Sequence, residues 1–114
     1  MNWTQIKTED DLNEISRLSE TTAVLIFKHS TRCSISSMAL SRLERKWDVS
    51  LNYPVFFLDL LSYRNLSARI EELFHVVHQS PQVLIIRHNQ SVYDASHSQI
   101  QYEDILERIK QNEN

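Results

Sequence analysis

The strongest constraint on the fold is a change of hydrophobic period that repeats along the chain. Three runs are short, apolar on both faces and rich in β-branched or aromatic residues: Thr22–Lys28, Val55–Leu60 and Gln82–Arg87. Runs of this kind suit strands buried on both sides. Around them the apolar residues recur at helical spacing. Leu12, Ile15 and Leu18 precede the first run. Ile35, Ala39, Leu43 and Trp47 follow it, Leu66, Ile70, Leu73 and Phe74 follow the second, and Tyr102, Ile105, Leu106 and Ile109 close the chain. Thr8, with Asp11 three residues on, marks the start of the first helix. Val92–Ala95 reads as a further strand, joined to the third run by a hairpin across His88–Ser91, and Trp3–Ile6 as a short edge strand. The three βα units imply parallel strands joined by crossovers, with one antiparallel strand added by the hairpin. The expectation is a single α/β domain over residues 1–114, with a central mixed sheet of four to five strands flanked by helices on both faces. A chain of 114 residues can close one core of that size without disulfides or metals.

The chain contains no glycine. Average usage would supply about eight. Their absence removes the phosphate-binding P-loop, the glycine-rich dinucleotide fingerprint and the serine nucleophile elbow. In the hairpin, Asn89 is the residue expected to take the left-handed conformation that glycine usually supplies. A formal net charge of -3 argues against a nucleic-acid surface. The longest apolar stretches, Ala23–Phe27 and Val55–Leu58, fall far short of the ~20 residues of a membrane helix, so no membrane partner is expected. Met1–Ile6 shows no basic region followed by an apolar one, and a cytoplasmic location is expected. His75 and His78 stand three apart, but without companions at ligand spacing, and no metal site is expected.

The chemistry concentrates on one residue. Cys33 is the only cysteine, so no internal disulfide can form. It stands where a strand ends and a helix begins, the edge at which open α/β sheets bind ligands. Unpaired N–H groups and the positive end of the helix dipole stabilise an anion there, and a thiolate is such an anion. Lys28, His29 and Arg32 precede it and are expected to add positive field or to hold an acidic small thiol, while Ser30, Thr31, Ser34 and Ser36 supply hydroxyls. A buried structural cysteine is the bland alternative, but polar and basic neighbours argue against it. Ser36 occupies the place that a resolving thiol would take in a C-x-x-C pair, and its hydroxyl is expected to reach the Cys33 sulfur. One sulfur can accept a thiol adduct but cannot release it as an internal disulfide, which leaves monothiol exchange. Ser80-Pro81 precedes the third strand, where a proline without an N–H belongs.

The element order is that of the thioredoxin fold. In that fold a proline at the position of Pro81 is cis and lies beside the active cysteine, turning the backbone of Ser80 toward an extended substrate chain. Phe27-Lys28-His29-Ser30-Thr31-Arg32-Cys33-Ser34-Ile35-Ser36 resembles the active-site segment of the YtxJ-type monothiol bacilliredoxins. His78-Gln79-Ser80-Pro81-Gln82 and Ala95-Ser96-His97 are similar to two further segments of that family. The resemblance implies a thioredoxin-like thiol-disulfide oxidoreductase. Cys33 would be the nucleophile, S-thiolated proteins the clients, and bacillithiol or a like low-molecular-weight thiol the co-substrate, with no tightly bound cofactor. Ser34 departs from the family, which has proline there, and restores an N–H in the first helical turn. The competing expectation is a non-catalytic thioredoxin-like binding module, in which the Ser80–Pro81 edge recognises a partner and Cys33 is a redox-sensitive contact. A Cys–His hydrolase is a further alternative and would need His29 or His97 at the sulfur.

Overall fold

The structure, a computed structural model, describes residues 1–48 and 50–113. In chain order the elements are β1 (Thr4–Gln5), α1 (Glu9–Leu18), β2 (Val24–His29), α2 (Ser34–Lys46), β3 (Val55–Asp59), α3 (Arg64–Phe74), β4 (Gln82–Arg87), β5 (Gln90–Ser96) and α4 (Tyr102–Gln111), with a 3-10 turn at His97–Gln99 before α4. One five-stranded sheet has the order β1-β3-β2-β4-β5. No helix among the described residues is long and apolar enough to cross a membrane.

Alternation along the strands assigns each helix to a face. Leu25 and Phe27 of β2 join Val83 and Ile85 of β4 under Ala39 and Leu43 of α2 and Ile105 and Ile109 of α4. Val24 and Ile26 point the other way, with Leu84 and Ile86, against Leu12 and Ile15 of α1 and Leu66 and Ile70 of α3. Every residue of β2 and β4 is buried, as a strand covered on both faces should be. The capping box at Thr8 is present: its side chain accepts from the Asp11 N–H, and the Asp11 carboxylate accepts from the Thr8 N–H at 3.0 Å.

Two expectations change. The third run is not parallel. β1, β3 and β2 run parallel, but β4 is antiparallel to β2, with Lys28 opposite Gln82. The segment after α3 therefore starts β4 at the same sheet edge where β2 ends. A run buried on both faces carries no mark of direction, so its pattern suits either sense. The buried face of α2 also differs in its first turn. Its buried positions are Ser36, Ala39 and Leu43, with Trp47 at its end, while Ile35 is 57% exposed. A serine fills the inner place because its hydroxyl finds partners there.

The hairpin is tighter than its sequence suggests. β5 begins at Gln90, and the two-residue turn has φ of 54° at His88 and 60° at Asn89. Positive φ at both central residues is the signature of a type I′ turn. His75, which ends α3, and His97 are also left-handed, at φ of 57° and 55°. Histidine and asparagine thus fill the positions where other chains place glycine.

Candidate active site

Cys33 caps the N-terminus of α2 with extended backbone, and its side chain makes no capping bond. Its N–H donates to the Ser30 carbonyl at 3.1 Å, and its carbonyl accepts from the Ser37 N–H at 3.1 Å. These bonds turn the chain from β2 into the helix and leave the thiol partly exposed. The helix opens without an acidic residue in its first turn, so nothing there competes with an anionic sulfur.

Ser36 is buried but does not bind the sulfur. Its Oγ lies 2.6 Å from His29 Nδ1 and accepts from the Ser30 N–H at 3.1 Å. The serine therefore ties the end of β2 to the first turn of α2, across the loop that carries Cys33. The sequence expectation of a hydroxyl on the thiolate is corrected, because the hydroxyl is taken up by His29 and the Ser30 N–H instead. His29 sits on the α2 face, with its ring 5.3 Å from Phe57 and 6.1 Å from Phe27. Burial holds its pKa below the usual 6.5, against the opposing fields of Asp59 and Glu44. Burial thus works against the protonated ring, which makes His29 a poor source of positive field.

Lys28 is not beside the thiol either. One step along β2 from His29, its side chain enters the opposite face, under α3. Burial pulls its pKa down to about 8, and Glu71 pulls the other way. Its charge also holds down the pKa of His78, after burial of that ring. Alternation puts these neighbours on opposite faces, but in a strand buried on both sides the sequence does not mark which face carries α2. Arg32 and Ser34 are exposed, on either side of the cysteine.

The Ser80–Pro81 bond is cis. Pro81 precedes Gln82, which pairs with Lys28, so Ser80–Pro81 and the Cys33 loop share one sheet edge. The Pro81 carbonyl accepts from the His97 N–H at 3.1 Å. Ser80 makes no backbone hydrogen bond among the described residues, and its Oγ is buried without a partner. His97 faces α2 in a small cleft with Ile35, Met38 and Arg42, and its ring has no hydrogen-bond partner among the described residues. Sequence reasoning missed the apolar rim of this edge: Ile35, Met38 and Val77 are 57%, 65% and 74% exposed. It also missed Arg64, which lines a polar cleft with Thr31, Arg32, Asp59, Leu61 and Ser62.

A five-stranded mixed sheet with a cysteine at the start of the helix after β2 has the arrangement of the thioredoxin fold. Solved structures agree on the fold. A thioredoxin-fold protein described as a candidate oxidoreductase superposes with a TM-score of 0.75 at 23% identity, covering 91% of this chain and 90% of its own. Thioredoxin from Malassezia sympodialis matches at a TM-score of 0.74 and 11% identity over 99% and 92% of the two chains. Thioredoxin from Fasciola hepatica matches at 0.74 and 13% over 95% and 97%. Residues 4–105 match the family described as monothiol bacilliredoxin BrxC, and the chain belongs to that family. It is a thiol oxidoreductase of thioredoxin-like fold with one cysteine.

Proposed function

We propose that the protein removes a low-molecular-weight thiol of the bacillithiol type from S-thiolated client proteins by monothiol exchange at Cys33. One observation carries the reading. The only thiol stands partly exposed at a helix N-terminus, and the place of a resolving cysteine is held by a buried serine bonded to His29 and Ser30. In the first step the Cys33 thiolate attacks the small thiol's sulfur in the mixed disulfide. A Cys33–small-thiol disulfide forms, the old S–S bond breaks, and the client leaves as a thiolate that takes a proton from solvent. In the second step the thiolate of another small-thiol molecule attacks the adduct's outer sulfur. It forms the symmetric small disulfide and returns Cys33 as a thiolate.

The backbone of Ser80 is free to pair with an extended client segment. The exposed Ile35, Met38 and Val77 give its side chains apolar contacts. No tightly bound cofactor enters this cycle. A lone free thiol suits a reducing compartment, and the reading puts the reaction in the cytoplasm.

Intact-mass analysis tests the proposal. A client carrying the mixed disulfide is incubated with the protein and the free small thiol. The expected record is an adduct on Cys33, loss of the same mass from the client, and turnover beyond one equivalent. The apolar rim and the free Ser80 backbone also favour the second reading, a binding module without turnover. In that case Cys33→Ala would hold the client as well as the wild type does, and the client would keep its adduct.

A further inference from the structure

The stripe of α2 that begins outside the core at Ile35 ends on a charge that the protein does not neutralise. Ile35, Met38, Ala39 and Arg42 follow one another at helical spacing and, with His97 and Ser98, line a cleft of about 200 Å³. That is less than the ~300–1,000 Å³ of small-molecule clefts and suits a single side chain. One Nη of Arg42 donates to the Ile100 carbonyl at 3.0 Å, which holds the guanidinium in place, while Nε is buried without a partner. Elsewhere in the chain arginines find carboxylates, as Arg17 finds Glu14 and Arg69 finds Glu9. Arg42 has none within 4 Å among the described residues, and neither has Arg45 beside it on the outer side of α2. Glu44 is the only acidic residue of α2, and it is turned toward β1, where it accepts from Trp3 Nε1 at 2.9 Å. In a chain of net charge -3, this face is positive.

Resting on the exchange reaction proposed above, we infer that this cleft receives an acidic side chain of the client protein, so that Cys33 exchanges fastest with clients carrying a carboxylate about three residues from the S-thiolated cysteine. The cleft lies on the client's path. The His97 N–H donates to the Pro81 carbonyl at 3.1 Å, which ties the cleft to the edge where the client backbone pairs with Ser80, and Ile35 stands two residues past the thiol. Arg42 is nine residues past Cys33, ~13 Å along a helix that rises ~1.5 Å per residue. An extended client covers ~3.3 Å per residue, so that distance is about four residues. A long side chain on a helix leans toward the N-terminus, which brings the charge to about three. A carboxylate there meets the guanidinium N–H groups that Ile100 leaves open and offsets a charge that the chain leaves unpaired. The exposed Ile35 and Met38 beside it shield the pair from water and strengthen it.

The test uses the full-length protein and synthetic peptides whose single cysteine carries mercaptoethanol in disulfide linkage, an uncharged adduct. The peptides differ only in Glu, Gln or Lys placed at that spacing before or after the cysteine. Transfer of the adduct to Cys33, with release of the peptide thiol, is followed by intact mass at low and high salt. Rates are read as the Glu-to-Gln ratio within each variant, which cancels any change in the reactivity of Cys33. On one side of the cysteine the wild-type ratio should reach about tenfold at low salt, the factor expected of a charge-assisted hydrogen bond, and should shrink as salt rises. The Lys peptide should be the slowest. Arg42→Gln should bring the ratio to parity, Arg42→Lys should keep part of it, and Lys110→Gln, an exposed change on α4, should leave it as in the wild type. Wild-type parity on both sides of the cysteine, or a preference that survives Arg42→Gln, overturns the inference while leaving the exchange reaction intact. If Arg42→Gln does not fold, the wild-type salt dependence decides, and a preference that ignores salt overturns the inference. If Cys33 takes the adduct from no peptide, the exchange reaction itself fails.

Discussion

The two ends of the strands are finished in opposite ways. At the end remote from Cys33, polar groups close on one another. Arg87 is buried, and its guanidinium donates to the Ser19 carbonyl and to the Asn112 carbonyl, both at 2.8 Å. The same Ser19 carbonyl accepts from the His88 N–H at 2.7 Å, and Ser19 Oγ accepts from the Asn89 N–H at 2.9 Å. One serine at the end of α1 thus pins the β4–β5 turn. At the Cys33 end the groups are left open. Ser80 keeps an unpaired backbone and an unpaired hydroxyl, α2 and α3 begin without side-chain caps, and Ile35, Met38 and Val77 face outward. Unmet hydrogen-bonding capacity costs stability. Its concentration at one end, around the only thiol, is what an edge shaped for partners looks like, and the closed end supplies the rigidity.

The largest expected effect is Cys33→Ala. Adduct formation and exchange should fall to the uncatalysed background, while the urea unfolding midpoint stays within the shift produced by about 0.5 kcal/mol. A large stability loss would instead make Cys33 a structural residue. The converse change is Arg87→Ala at the closed end. Three charged hydrogen bonds disappear, the longest of them to the Glu113 carbonyl at 3.5 Å, and the Asn112 carbonyl loses its donor. The expected cost is about 3 kcal/mol, read by urea denaturation, with exchange per folded molecule unchanged. If Arg87→Ala slowed exchange without destabilising, the contrast between the two ends would collapse.

Ser36→Ala sharpens the boundary between them, because it removes a closed contact from the open end. The Ser30 N–H loses its acceptor and His29 Nδ1 its partner. The expected cost is about 1–2 kcal/mol. The exchange rate should fall severalfold as the Cys33 loop loosens, and Ser36→Thr should restore part of it. An unchanged rate would show that the loop is held by its backbone bonds alone.

Lys28 gives a smaller effect with a defined pH window. Its folded pKa is lowered to about 8 by burial, from an ordinary value of 10.5. Between these values the unfolded chain binds the proton that the folded chain gives up, so stability rises with pH across that window. Below pH 8 the folded chain carries the buried charge. Lys28→Met should therefore be more stable at pH 7 by about 1 kcal/mol, and the difference from wild type should shrink toward pH 9.5. Urea midpoints at the two pH values check both statements. A gap that widens with pH would mean that the ammonium is favourably held by Glu71.

Much of this architecture was legible, and the illegible parts share a cause. The period change marked every long element, Thr8 and Asp11 marked the start of α1, and the change of period at Cys33 marked the start of α2. What failed was side and direction. β2 and β4 are buried on both faces, so their sequences carry neither the sense of β4 nor which of the neighbours Lys28 and His29 faces α2. The stripe of α2 held at Ala39, Leu43 and Trp47 but failed at its first turn, where Ser36 satisfies its hydroxyl inside against His29 while Ile35 stands outside. Arg64 was missed because nothing local ties it to residues thirty positions earlier. The cleft exists only once β3 lies beside β2.

The smallest expected effect lies in the closed turn and follows from the missing glycines. His88 and Asn89 both hold positive φ, where a side chain beyond Cβ crowds the following carbonyl. Asn89 tolerates this through its short polar side chain, but His88 is a poorer fit for the first position of a type I′ turn, which favours Asn-Gly. Its only side-chain partner among the described residues is Glu20, at 3.7 Å and largely exposed, a contact of little worth even when the ring is protonated. His88→Asn/Asn89→Gly should therefore relieve the backbone at almost no cost in contacts. The N–H groups that bind Ser19 remain, since neither substitution touches the main chain. A gain of about 0.5 kcal/mol corresponds to a rise of ~2–4 °C in Tm, with exchange at Cys33 unaltered. A fall in Tm would mean that the greater freedom of glycine in the unfolded chain outweighs the strain relieved, and that this chain lost nothing by closing its hairpin without one.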